Sequence, residues 1–105
     1  MTIERVIKKF QDNNPQADTT LIQLAYDFAE KAHSGQVRRS GEPYIQHPLH
    51  TAYVLAEMKS DLPTVVAGIL HDVPEDTSVT IDDIKKNFGE EVSTLIKGIT
   101  KLGKI

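Results

Sequence analysis

The stretch GILHDVPEDT, residues 68–77, sets one imidazole and three carboxylates around a proline directly after an apolar run. Burying ionisable groups beside a core is costly unless water, a basic side chain or a metal ion pairs with them. His71 and Asp72 close an apolar helix. Adjacent helical residues project about 100° apart, so this pair can flank one ion near the helix end but cannot form a parallel clamp. His47 opens the preceding helix. If those two helices pack antiparallel across the short MKSDLP turn, His47 comes beside His71 and Asp72. Two imidazoles and a carboxylate suit a divalent transition metal, with positions left for water and phosphate oxygens.

Glu75 and Asp76 follow the helix break, in a loop that can fold back over the same place. A carboxylate there can orient or deprotonate an attacking water; read blandly, PEDTSVT is a solvated acidic turn. Arg38 and Arg39 stand together in a turn-rich segment, where they can grip phosphate by forked hydrogen bonds, stack on a base, or simply cover a surface loop. Tyr44 is either a loop anchor or a ring against which a nucleotide packs. His33 and His50 are left over. His50 lies one turn beyond His47 and is assigned a surface or supporting role. Asp72, Glu75, Asp76, Asp82 and Asp83 form an acidic stretch free of Lys and Arg. Acidic and basic patches together are what a metal-dependent enzyme acting on a phosphate ester would use.

The elements that must position these residues are helices. Ile3, Val6, Ile7 and Phe10 recur with helical spacing and fade at Asn13-Asn14-Pro15. A second helix, capped by Asp18 or Thr19, turns Leu21, Ala25, Phe28, Ala29 and Ala32 inward, and Gly35 ends it in a left-handed turn. GQVRRSGEPYIQ is a loop of unusual length for a helix–helix connection. The third helix starts near His47-Pro48 and buries Leu49, Ala52, Tyr53 and Ala56. The fourth is capped by Asp61, carries Pro63 in its first turn and is apolar nearly all round, so it belongs at the centre. Pro74 should end it at about Asp72–Val73. Thr80 and Asp83 form a capping box for a fifth helix through Phe88, closed by Gly89. The sixth runs from Glu90 to about Leu102 and buries Val92, Leu95, Ile96 and Ile99. No strand alternation is found, so the fold class is all-α, a bundle of about six helices.

With 105 residues, 39% hydrophobic and 26% charged, the chain is sized for one compact domain. It has no cysteine, which excludes disulfides, thiolate zinc sites and a cysteine nucleophile and suits a reducing cytoplasm. The longest apolar run, Val65 to Leu70, is too short for a membrane span. A net charge of −3 does not point to nucleic acid as a partner. The last helix runs almost to Ile105, so the chain is expected to be the first part of a larger helical domain. Uncovered apolar faces on the fifth and sixth helices would then favour a homodimer.

Three blocks, AHSGQVRRSGEPYIQHP, GILHDVPEDT and FGEEVSTLIKGITKLGK, closely resemble the hydrolase domain of RelA/SpoT-type proteins, a branch of the HD metal-dependent phosphohydrolases. The resemblance runs from about Leu21 to Ile105. It implies an all-helical HD domain that uses manganese (Mn2+) to remove the 3′-pyrophosphate of (p)ppGpp, guanosine 3′,5′-bis(pyrophosphate), giving GDP or GTP and pyrophosphate. Carried over, His47, His71 and Asp72 would be metal ligands, and Glu75 and Asp76 the acidic pair that positions or activates water. Arg38, Arg39 and Ser40 would line the nucleotide pocket, with Tyr44 as its aromatic.

Two departures accompany it. Pro74 stands where the family more often has an aliphatic residue, and it could tilt the acidic pair. The family's fourth metal ligand, an aspartate, would fall beyond Ile105, and none of Asp76, Asp82 and Asp83 matches it. The 105 residues are therefore expected to bind metal weakly and turn over little or no substrate. Two competing readings stand beside this one: another HD nucleotide phosphohydrolase, or a non-catalytic helical fragment that regulates a neighbouring domain.

Overall fold

In the computed structural model, which describes residues 1–103, seven helices follow one another: α1 (Ile3–Asn13), α2 (Thr20–Ala32), α3 (Gln46–Glu57), α4 (Leu62–Leu70), α5 (Val73–Asp76), α6 (Ile81–Phe88) and α7 (Glu90–Gly103). Ile105, where the chain is expected to be cut short, lies outside the described residues. The all-α expectation holds: the only pairing of extended backbone among the described residues is an isolated bridge between Val37 and Pro43.

α4 is the centre. Six consecutive residues from Val65 to Leu70 are buried, and the helix packs against α2, α3 and α7. Asp61 caps it, accepting from the Thr64 N–H at 3.1 Å, and Pro63 occupies the first turn, where its missing N–H has no intrahelical partner. Gly68 lets α3 come close: a Cβ there would sit 2.6 Å from Leu55 Cδ1. α1 covers α3 through Ile3, Val6 and Phe10. α6 begins with the expected capping box, in which Thr80 and Asp83 each accept the other's backbone N–H, and it packs on α7.

The turn between α3 and α4 sets their antiparallel alignment. Lys59 adopts the left-handed conformation with φ of 63°, its N–H donates to the Ala56 carbonyl at 3.0 Å, and the Ser60 N–H donates to the Leu55 carbonyl at 3.0 Å. This is a Schellman closure with lysine in the place usually held by glycine. At 1.5 Å per residue, His47 lies about 16 Å from the turn along α3 and His71 about 14 Å along α4. Both reach the same end of the hairpin.

Three expectations need correction. α4 ends at Leu70 rather than at Asp72–Val73. Pro74 then starts the single turn α5 rather than a loop, because a proline in a first turn gives up only an N–H that no helical carbonyl would accept. The inward face of α2 is as expected, with Ala25 and Ala29 buried and Leu21, Phe28 and Ala32 packed partly buried against the core, joined by the fully buried Ile22. The large apolar side chains left exposed among the described residues are Leu24, Val37, Val54 and Met58. None lies on α6 or on residues 90–99 of α7, where Ile84, Val92 and Ile96 are buried.

A left-handed non-glycine residue costs about 1–2 kcal/mol. Lys59→Gly should therefore raise stability by about 1 kcal/mol in denaturant unfolding. A destabilised variant would contradict this account of the turn.

Candidate metal centre

The hairpin delivers His47, in the first turn of α3, and His71, the residue after α4, to one place. Asp72 stands at the N-terminus of α5, yet its carboxylate makes no capping bond there. It turns to the imidazoles instead. Asp72 Oδ1 lies 3.3 Å from His71 Nε2, and Oδ2 lies 3.3 Å from His47 Nε2. The two rings are 5.7 Å apart. One ligand atom from each of the three residues falls within 4.8 Å of the others.

Protons decide what this arrangement means. His71 Nδ1 stands 2.6 Å from the Gly68 carbonyl, which can only accept, so Nδ1 carries the hydrogen and the neutral ring presents a bare lone pair at Nε2. That lone pair faces Asp72 Oδ1. The second oxygen, Oδ2, is buried and has no hydrogen-bond partner, because His47 approaches it without hydrogen-bond geometry. Leaving a buried acceptor unsatisfied costs about 1–3 kcal/mol, more for a charged one. Among the described residues no Lys or Arg pairs with Asp72. Facing lone pairs at this distance repel unless a proton or cation lies between them. Ligands at about 2 Å from a shared ion lie about 3–3.5 Å apart, the distance at which each imidazole stands from one oxygen of Asp72, so the three residues together could hold a divalent metal. The side chains of His71 and Asp72 are 13% and 16% exposed and that of His47 is 42% exposed, so the site opens on the His47 side.

The other candidate residues form a rim. Tyr44 packs edge-on against His47 at 6.3 Å, and its hydroxyl donates to Asp76 Oδ2 at 2.6 Å. Burial first, then that hydrogen bond and the Asp72 and Asp76 charges, push the Tyr44 hydroxyl well above its ordinary range. It is therefore a firm proton donor to Asp76. Glu75 is exposed beside Asp76 on α5. Arg38, Arg39 and Ser40 line an open cleft of about 570 Å³ with Glu42 and Tyr44. The cleft is shaped by a tight turn in which the Gly41 N–H donates to the Arg38 carbonyl at 2.8 Å, and the Arg38 N–H to the Glu42 carbonyl at 2.9 Å. His50 is exposed, one turn from His47. His33, set aside in the sequence, is buried at 3% exposure. Its position was legible: Ala25, Ala29 and His33 follow one another at the four-residue spacing of a single inward face.

Residues 25–105 match the family described as HD domain. The guanosine-3′,5′-bis(diphosphate) 3′-pyrophosphohydrolase of Aquifex aeolicus is 46% identical over 105 residues, all of this chain and 15% of that protein. The bifunctional (p)ppGpp synthase/hydrolase SpoT of Escherichia coli is 47% identical over 91 residues, 87% of this chain and 13% of SpoT. A GTP pyrophosphokinase of Streptomyces coelicolor is 42% identical over 106 residues, 98% of this chain and 12% of that protein. The chain belongs to the HD domain family, in its RelA/SpoT branch. It spans well under a fifth of each of these relatives. No helix among the described residues is long and apolar enough to cross a membrane.

Two outcomes are expected. In a Co2+ titration followed by visible absorption, His71→Ala or Asp72→Ala should weaken binding by more than the roughly 10–100-fold typical of losing a supporting partner; His50→Ala should leave it unchanged. Because the Tyr44 hydroxyl is raised in the folded state, its contribution is fully present below the ordinary tyrosine value of 10.0 and declines as pH rises above it. The stability gap between wild type and Tyr44→Phe should therefore be constant through neutral pH and shrink in alkali.

Proposed function

We propose that this chain is the leading part of a domain that hydrolyses the 3′-pyrophosphate of (p)ppGpp, releasing pyrophosphate and leaving GDP or GTP. The observation that carries the reading is the meeting of one ligand atom from each of His47, His71 and Asp72 within 4.8 Å, one aromatic ring away from Asp76. The names of the Aquifex and Escherichia relatives, both of which include hydrolysis of this class of nucleotide, support the substrate.

In this reading His47, His71 and Asp72 hold Mn2+, which when bound supplies Lewis-acid charge to the phosphoryl oxygens. Asp76 accepts the proton of the attacking water on one carboxylate oxygen, and the Tyr44 hydroxyl holds the other in place. Glu75 shares the orientation of that water. Arg38 and Arg39 grip phosphate or stack on the base from the open cleft, with Ser40 and Tyr44 as its polar and aromatic walls. His47, His71 and Asp72 supply three ligands, so the 105 residues alone bind metal weakly. A cytoplasmic location and a homodimer belong to the same reading.

The test compares Mn2+-dependent pyrophosphate release from ppGpp with phosphate release from GTP and GDP by the intact protein. Selective release from ppGpp, reduced about 10²–10⁴-fold in Asp76→Asn, is expected. Equal turnover of ordinary nucleotides would favour a different HD phosphohydrolase, and undiminished activity in His71→Ala would remove the metal from the mechanism.

A further inference from the structure

Asp76 is held from three sides, and one of its supports reaches back to a buried histidine that the proposed mechanism does not use. Its backbone N–H donates to the Asp72 carbonyl at 2.9 Å, and its carboxylate accepts from Tyr44 at 2.6 Å. Its carbonyl accepts from Gln36 Nε2 at 2.8 Å. Because a carbonyl only accepts, this last bond fixes the Gln36 amide and leaves Gln36 Oε1 as the acceptor facing His33 Nδ1 at 3.1 Å. His33 Nδ1 must then carry a hydrogen, and its neutral ring has the lone pair at Nε2, a buried atom with no partner. The His33 ring stacks on Tyr44 at 4.8 Å and 30°, and the Tyr44 N–H donates to the Gln36 carbonyl at 3.1 Å. The contacts form a closed circuit: His33 to Gln36, Gln36 to Asp76, Asp76 to Tyr44, and Tyr44 back to His33.

A lone exposed carboxylate on a four-residue helix has little to fix its direction. The circuit supplies it, and it starts from a ring locked in the core at the end of α2. We infer that His33 and Gln36 are positioning residues that set the place of Asp76 relative to His47, His71 and Asp72. They also tie that place to the loop bearing Arg38 and Arg39. The inference rests on the reading of Asp76 as proton acceptor. Neither residue would touch substrate or metal; both act through Asp76 and Tyr44.

The test uses His33→Leu, which fills the buried space without a donor, His33→Asn, whose amide nitrogen can replace Nδ1, and Gln36→Leu. Thermal unfolding checks that each variant folds. Nuclear magnetic resonance of the 105-residue chain reads the Gln36 side-chain amide, which should be slow to exchange in wild type and His33→Asn and fast in His33→Leu. In the intact protein, His33→Leu and Gln36→Leu should lower kcat for ppGpp by about 10–100-fold, with KM and Co2+ affinity close to wild type; His33→Asn should recover most of kcat. A folded His33→Leu with wild-type kcat would overturn the inference, as would a His33→Asn no better than His33→Leu. Wild-type protein inactive on ppGpp would instead remove the reading of Asp76, while the amide resonance would still decide whether His33 and Gln36 hold it.

Discussion

The approach of His71 Nε2 to Asp72 Oδ1, 3.3 Å apart and in need of a proton or a cation between them, is the constraint around which the rest of the molecule is arranged. It exists because the Gly68 carbonyl claims the other nitrogen of His71 and because Asp72 forgoes the helix cap its position offers. Neither group can move away cheaply. Both sit at the end of a helix whose last six residues are buried, and the chain turns at once into α5, with Val73 fully buried. With Asp72 Oδ2 buried and without a hydrogen-bond partner, such a pair favours positive charge beside it, and His47 adds a third donor to the same space.

Gly68 contributes twice to this arrangement. Its carbonyl sets the His71 tautomer, and its missing side chain admits Leu55, so that α3 lies close enough along α4 for His47 to reach Asp72. The Lys59 turn sets the alignment at the far end of the same hairpin. Around His47, His71 and Asp72 the fold then adds further residues. Tyr44 is the joint between the two, edge-on to His47, face-on to His33 and hydrogen-bonded to Asp76. Acidic chemistry on one side and the arginine cleft on the other are thus hung from one aromatic side chain.

Much of this was legible in the residues. Helical spacing located the six longer helices, and the caps at Asp61 and Thr80 stand where side-chain chemistry puts them. The meeting of His47 with His71 and Asp72 followed from a short turn and two helices of similar length. What could not be read was set by tertiary contact. Pro74 is a breaker in one register and a helix starter in the next, and only the backbone path after Leu70 distinguishes the two. His33 carried its burial in the Ala25–Ala29–His33 spacing, but its partner Gln36 lies in a loop whose course no periodicity describes. Which large apolar side chains stay exposed, Leu24, Val37, Val54 and Met58 among the described residues, is likewise set by how the helices pack and not by spacing.

The central claim is that two imidazoles and one carboxylate of this hairpin share a single cation. Pulsed electron paramagnetic resonance of Mn2+ bound to the chain, with histidine labelled by nitrogen-15, measures it directly. Couplings to two imidazole nitrogens, reduced to one in His47→Ala, are the predicted result; Mn2+ bound without any histidine coupling would contradict the account.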